Sequence, residues 1–309
     1  MVNLRRVTWA MMLTTWVFQS CGEMDLIAPS GVDIQMEGDT LVFAALGDFG
    51  KSGEAEKSVA DLVKSWDPDF IITTGDNNYE SGELKTIKEN ISDYYGEYIY
   101  NFDAPAKYRC NGEAFDEQIN KFFPSPGNHD ARSKDGLTPY LNFFTLPQDE
   151  VYYSFVWGPI TFYALNSTAA DVEDQQSWLT EQLNISDTPF QIVYFHHSPY
   201  SPGPHGNNEK MQWNYSEAPI DVVMSGHDHI YSRISKKGEE GLYYIVNGLG
   251  GKSLYNCDSN TLPEDEFDLF CYDENYGAIK ATCTRNKLVL EFFTIDQPEE
   301  PVDQIVIEK

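Results

Sequence analysis

Residues 220–230 read Ile-Asp-Val-Val-Met-Ser-Gly-His-Asp-His-Ile, an apolar run that ends in a turn carrying two histidines. The apolar part predicts a buried strand, and the glycine predicts a tight turn at its end. His227 and His229 lie two positions apart on this turn, so both imidazoles can face one point. Because neutral imidazole is a common ligand of transition metals, the stretch predicts a strand whose end carries part of a metal site.

Four similar loops precede this stretch, and each follows an apolar segment that predicts a strand. Open α/β sheets place ligands at the carboxyl ends of their strands, so we expect the five loops to converge. A single Gly-Asp turn is more often a helix cap or a solvated turn than a ligand, but five such loops in one order favour a site. The four loops are Gly47-Asp48-Phe49-Gly50, Gly75-Asp76-Asn77-Asn78-Tyr79, Gly127-Asn128-His129-Asp130 and Val193-Tyr194-Phe195-His196.

The segments between the loops predict an α/β fold. Residues 41–46 and 70–74 predict two buried strands, and the helix between them shows an apolar stripe with polar residues elsewhere. That stripe consists of Val59, Leu62, Val63 and Trp66. Residues 80–124 predict helices and a loop, and the C-terminal strands are expected to complete a second sheet in the same domain. Further strands are predicted at 152–157, 160–165, 190–195, 242–246 and 288–294, and a helix at 174–183.

The charge of the chain narrows the function. Among 309 residues, 49 are acidic and 21 basic, which gives a formal net charge of −28. Such a surface repels phosphate backbones, so nucleic acid is not an expected partner. Affinity for a small anion must then come from a local device, such as bound metal.

The N-terminus predicts export. Arg5-Arg6 precede an apolar run at 7–18 that is too short to span a bilayer, which indicates a signal peptide over 1–21, a tether over 22–40 and one domain over 41–309. Cys21 lies in a segment that resembles a bacterial lipoprotein cleavage box. We therefore expect a periplasmic or cell-surface lipoprotein with membrane anchoring through lipidated Cys21. The alternative is cleavage after Gly22 and secretion.

The remaining cysteines permit a disulfide in an oxidising compartment. Cys257 and Cys271 flank an acidic loop and are the preferred pair, which leaves Cys110 and Cys283. None of the four shows Cys-x-x-Cys spacing, so a thiolate metal site is not expected.

The five loops match, in order and content, the motifs GDxG, GDxxY, GNHD, VxxH and GHxH of the metallophosphoesterase superfamily. Tyr79 is the discriminating residue, because GDxxY is characteristic of purple acid phosphatases. Over roughly residues 41–295 the sequence therefore resembles a purple acid phosphatase of the small tartrate-resistant type. The resemblance implies a four-layer αββα sandwich, in which two mixed sheets are flanked by helices.

The resemblance also implies a site for two metal ions, with Asp76 bridging them. Phenolate and carboxylate donors suit Fe(III), whereas imidazole and amide oxygen suit a divalent partner, which could be Fe, Zn or Mn. His197 competes with His196 for the VxxH position, but only His196 preserves both Val193 and the family spacing to His205. The implied ferric ligands are Asp48, Tyr79 and His229, and the implied ligands of the divalent ion are Asn128, His196 and His227.

The implied activity is that of an acid phosphatase, which hydrolyses small phosphate monoesters by attack of a metal-bound hydroxide. His129 and His205 are the expected catalytic residues facing the substrate, and Asp130 is expected to orient an imidazole. Gly206 replaces a third histidine of larger family members, so the proton donor to the leaving group is open. The alternatives are a phosphodiesterase or nucleotide phosphatase of the same superfamily, and a non-catalytic metal-bearing surface protein.

Overall fold

The strands of the chain form two mixed β-sheets in a computed structural model that describes residues 32–34, 38–110, 120–147, 151–258 and 262–309. The predicted signal segment 1–21 and most of the predicted tether 22–40 lie outside these residues, so export and lipidation of Cys21 stay predictions. Within the described ranges, no helix is both long and apolar enough to cross a bilayer.

One sheet has six strands and joins the two ends of the domain. Three parallel strands come from the N-terminal part: β2 (Leu41–Leu46), β3 (Phe70–Thr73) and β4 (Phe122–Pro124). Three antiparallel strands come from the C-terminal part: β12 (Gly277–Cys283), β13 (Lys287–Thr294) and β14 (Asp303–Glu308). The order is β14-β13-β12-β2-β3-β4, so the predicted second sheet also contains the first strands of the domain.

The other sheet has eight strands. They are β1 (Val32–Ile34), β5 (Tyr153–Trp157), β6 (Ile160–Ala164), β7 (Phe190–His197), β8 (Val222–Gly226), β9 (Tyr231–Lys236), β10 (Tyr243–Asn247) and β11 (Phe267–Tyr272). The order is β1-β5-β6-β7-β8-β10-β9-β11, and β6, β7, β8 and β10 run parallel. Because β1 pairs with β5, residues 32–34 of the predicted tether form an edge strand.

The two sheets pack face to face through aromatic side chains. Phe43 of the six-stranded sheet meets Phe162 of the other edge-on at 5.2 Å between ring centroids, and Phe123 stacks on Phe155 at 4.0 Å. Helix α1 (Glu54–Ser65) packs against β12, and α4 (Glu173–Ile185) covers the eight-stranded sheet with two buried leucines. Two short helices, α2 (Asp93–Tyr95) and α3 (Thr138–Phe143), complete the set. The predicted architecture of two mixed sheets flanked by helices is confirmed.

Helix α1 buries most of its predicted apolar stripe, but one of its polar residues is buried as well. Glu56 lies one turn before Val59, is fully buried, and has no hydrogen-bond partner for either carboxylate oxygen. A Cβ at Gly251 would lie 2.7 Å from the Glu56 Cα, so the close approach of this glycine helps to bury the helix start. Burial raises the pKa of Glu56 to about 10, which keeps the carboxyl group protonated at neutral pH.

The predicted disulfide is confirmed, because Cys257 and Cys271 are bonded to each other. The bond ties the loop after β10 to strand β11. Cys110 and Cys283 are free and buried.

Candidate metal centre

Three of the predicted ligands have a backbone conformation that is uncommon for residues other than glycine. The φ angles are 55° at Asp48, 53° at Asp76 and 73° at His227. Each of these residues comes directly after a glycine at the end of a strand or just beyond it. A left-handed residue of this kind costs about 1–3 kcal/mol and is concentrated at functional sites. The Asp48 amide donates to the Gly75 carbonyl at 3.0 Å, so the first two loops hold each other in place.

The predicted ferric ligands come together as one group. The Tyr79 hydroxyl donates to Asp48 Oδ1 at 2.9 Å and lies 3.3 Å from His229 Nε2. His229 Nε2 lies 3.4 Å from the same carboxylate oxygen. A phenol, a carboxylate and an imidazole thus direct their donor atoms to one point.

The predicted ligands of the divalent ion form a second group. His196 Nε2 lies 2.9 Å from Asn128 Oδ1 and 3.1 Å from His227 Nδ1. Asp76 Oδ2 is 3.4 Å from the same His196 nitrogen, while Asp48, Asp76 and His196 place one donor atom each within 4.8 Å of one another. Asp76 therefore lies between the two groups, as the bridging assignment requires.

Outer contacts orient the imidazoles. His196 Nδ1 donates to the Thr74 carbonyl at 2.9 Å, which leaves the lone pair of Nε2 directed at the cluster. His229 Nδ1 lies 2.7 Å from Ser253 Oγ, so its Nε2 also faces inward. Partners of this kind fix the tautomer and raise the basicity of a ligating histidine.

Both adjacent histidines lie at the cluster. His196, His197 and His227 place one donor atom each within 4.8 Å of one another, at a point where the register of β7 against β8 shifts. His196 is fully buried and contacts Asn128 and Asp76. His197 Nδ1 lies 3.0 Å from Ser167 Oγ, and burial lowers the pKa of His197 to about 4. The preference for His196 over His197 as a ligand therefore stays a prediction.

The charge balance of the cluster fits bound cations. Asp48 and Asp76 are 0% and 2% exposed, and within the described part of the chain neither has a Lys or Arg partner at ion-pair distance. Burial, followed by the neighbouring carboxylates of Asp48 and Asp130, raises the pKa of Asp76 well above its ordinary value. Buried carboxylates without a cationic partner are costly, and bound metal ions remove that cost.

The protonation of the other donors points the same way. Burial, and then His196, lowers the pKa of His227 to about 2, and burial also lowers the pKa of His196 well below its ordinary value. Both rings are therefore neutral over the ordinary pH range, which is the form that binds metal.

The two predicted substrate-facing histidines lie beside different ligands. The His129 ring is tilted against the Tyr79 ring with 4.3 Å between centroids, and its Nε2 lies 3.9 Å from Asp76 Oδ2. His205 stacks on His227 at 4.0 Å, and Tyr255 lies beside it at 5.6 Å. Burial lowers the pKa of His129.

Asp130 has a different partner from the one predicted. Its Oδ2 accepts hydrogen bonds from the Gly127 amide at 2.8 Å and from the Asn77 side chain at 2.9 Å, rather than from an imidazole. The prediction of an imidazole partner was wrong, because position in sequence next to His129 does not fix the direction of the side chain. Asp130 instead fastens the second loop to the third.

Several supporting residues were missed by the sequence analysis. Thr74 and Ser253 act through a carbonyl and a hydroxyl, which no motif marks. Asp228 did carry a signal, since it stands between the two histidines of the first motif. Its Oδ1 accepts the His205 amide at 2.9 Å, so it positions the loop that presents His205.

The calcineurin-like phosphoesterase family matches residues 41–231, a range that contains every predicted ligand and both predicted catalytic histidines. The chain belongs to this family of phosphoesterases.

Within the family, the chain is similar to purple acid phosphatases. Purple acid phosphatase 17 of Arabidopsis thaliana is 24% identical over 312 residues, covering 91% of this chain and 88% of the relative. Purple acid phosphatase 3 of the same plant is 25% identical over 301 residues, covering 87% and 77%.

Two solved structures share the fold. A protein titled the anchor in the inner membrane complex of Plasmodium, GAP50, has a TM-score of 0.66 at 18% identity, covering 88% of this chain and 89% of its own. A purple acid phosphatase from yellow lupin seeds has a TM-score of 0.65 at 17% identity, covering 91% and 55%.

Proposed function

We propose that this phosphoesterase is an acid phosphatase that hydrolyses phosphate monoesters at a binuclear Fe(III)–M(II) centre. The observation that carries the proposal is the division of the donor atoms into two groups with Asp76 between them. Asp48, Tyr79 and His229 would hold Fe(III), because anionic oxygen donors favour it. Asn128, His196 and His227 would hold Fe, Zn or Mn as the divalent ion.

The two metals would supply Lewis acidity toward the phosphoryl oxygens and an acidified water as the nucleophile. The residues of the chain fix where this happens. The Asp48 and Asp76 loops hold the ligands through their backbone contacts, and His129 and His205 lie beside Tyr79 and His227, one ligand of each group. A small phosphate ester bound between these histidines would present its leaving group toward one of them.

The same donor set would serve a phosphodiesterase or nucleotide phosphatase, so the turnover of monoesters must be compared with that of diesters. A non-catalytic role is the other alternative, since the structural neighbour GAP50 is an anchor. The presence of a complete donor set and of both flanking histidines favours an enzyme.

The deciding experiment measures iron and divalent metal in the purified protein, together with hydrolysis of p-nitrophenyl phosphate and bis-p-nitrophenyl phosphate. Diester preference, or bound metal without any turnover, would contradict the proposed activity.

Tyr79→Phe should remove the visible colour of the oxidised protein without changing its fold. A phenolate bound to Fe(III) absorbs visible light. A phenylalanine ring keeps the contact with the His129 ring but has no oxygen that could bind the iron. The measurement is the visible spectrum at equal iron content. Tyr152→Phe is the control, since that ring packs on Trp178. A colourless wild-type protein with full iron content would rule out the ferric–tyrosinate assignment.

His205→Ala should separate two roles for this histidine. If His205 protonates the leaving group, its loss should slow alkyl phosphates about 10²–10⁴-fold and aryl phosphates far less, because aryl oxides leave without a proton. The measurement is kcat/KM for an alkyl phosphate and for p-nitrophenyl phosphate in the same variant. Equal losses on both would show that His205 stabilises phosphoryl charge and that another group is the acid.

A further inference from the structure

The guanidinium of Arg132 lies against the imidazole ring of His129, which is expected to contact phosphate. Arg132 follows His129 on a short 3₁₀ turn, Asp130–Arg132, and its side chain is exposed. Arg132 Nη1 lies 2.8 Å from His129 Nε2. The same Nη1 lies 3.1 Å from Nδ1, so the guanidinium sits against the imidazole ring, close to both ring nitrogens.

The Glu80 carbonyl assigns the hydrogen of the ring. Its oxygen lies 2.6 Å from His129 Nδ1 and can only accept, so Nδ1 carries the hydrogen. In the neutral form of the ring, Nε2 then has no hydrogen to give to a phosphate, and the guanidinium beside it is the nearest donor.

The arrangement is rigid. The His129 amide donates to Asp76 Oδ1 at 2.7 Å, and the ring rests on Tyr79. Asp130, the next residue, is fastened to Gly127 and Asn77. The guanidinium is therefore held beside a nitrogen that is itself 3.9 Å from the predicted bridging carboxylate.

The charge of Arg132 is not neutralised within the protein. Although the chain carries 49 acidic residues, no described carboxylate lies within ion-pair distance, 4.0 Å, of Arg132. The nearby carboxylate of Glu80 pairs with Lys51 and Lys252 instead. An arginine fork matches the geometry of phosphate and keeps its charge at every working pH.

We propose that Arg132 makes a direct contact with the phosphate of the substrate, with its guanidinium positioned against the His129 ring. This inference rests on the proposed phosphatase function. It adds a binding residue that no motif of the sequence marks.

Arg132→Ala should weaken inhibition by inorganic phosphate about ten- to a hundredfold and raise KM by a similar factor, with a smaller change in kcat. Arg132→Lys should recover only part of the loss, because an ammonium group cannot form the fork. Lys134→Ala is the matched control. It removes the same charge two residues away, from a side chain that is 80% exposed and pairs with Asp135. Unchanged phosphate inhibition in Arg132→Ala would overturn the proposal.

Two measurements keep this test separate from the proposed activity. Calorimetric titration of the metal-loaded protein with inorganic phosphate compares the same variants without turnover. Nitrogen-15 shifts of the His129 ring report its tautomer, which should be the Nδ1–H form in the wild type and in Arg132→Ala alike, because the Glu80 carbonyl selects it. Absence of monoester hydrolysis by the wild type would count against the function alone. Equal phosphate affinity of wild type and Arg132→Ala would count against Arg132.

Discussion

Asp76→Asn is expected to lower turnover by more than about a hundredfold. The loss of a residue that only orients a metal ligand typically costs up to about a hundredfold. Asp76 itself lies between both donor groups, so its loss should cost more. Asparagine keeps the shape of the side chain and tolerates the left-handed backbone at this position. It removes the negative charge that two cations would share. The metal content should therefore fall below two ions per chain.

Metal analysis of purified Asp76→Asn, together with kcat/KM, checks this result. Asp61→Asn is a suitable control, because that carboxylate is exposed on α1 and pairs with Lys57. Circular dichroism should show that both variants fold. A variant with two ions per chain and wild-type turnover would contradict the bridging assignment.

Glu56→Gln is expected to stabilise the protein at neutral pH. The unfolded chain releases the proton of Glu56 near pH 4.5, whereas the folded protein holds it up to about pH 10. Between these values the folded state binds more protons, so this residue makes stability fall as pH rises. At pH 7 the difference amounts to about 3 kcal/mol, which glutamine should recover because it does not ionise.

Urea denaturation of the wild type and of Glu56→Gln at pH 5 and pH 8 measures this effect. The gain in the free energy of unfolding should be small at pH 5 and large at pH 8. Glu54→Gln is the matched control, because it makes the same chemical change at an exposed position in the same first turn. A gain that did not grow with pH would show that Glu56 is not buried in its neutral form.

The strands and helices were predictable where a single hydrophobic pattern dominates a segment. Residues 41–46 and 70–74 are continuous apolar runs before Gly-Asp turns, and both are strands in the structure. Strand β12 was missed because Lys280 and small residues dilute its apolar character. Glu56 was expected to be outside, yet its spacing to Val59 and Val63 places it on the apolar stripe. Only the packing of the helix start against Gly251 shows that the position is closed to water.

The site was predictable where side chains that can bind metal directly follow predicted strands. The motifs named every side chain of the two donor groups, because carboxylates and imidazoles after strands are visible in one sequence. The binding role proposed for Arg132 could not be found this way, since it depends on where the His129 ring lies, which a contact with the Glu80 carbonyl from 49 residues away fixes. The direction of Asp130 was lost for the same reason. Contacts between loops belong to the tertiary structure, which residue patterns do not specify.

The pairing of β2 with β12 has a consequence for the order of assembly. The strand that leads to Asp48 lies between β3, which follows it closely, and β12, which begins at Gly277. During synthesis, the side of β2 that faces β12 has no neighbour until β12 has left the ribosome. We therefore expect the loop of Asp48, the first of the predicted ligands, to be fixed only after β12 has paired. Metal binding at the predicted centre would then be a late step of folding.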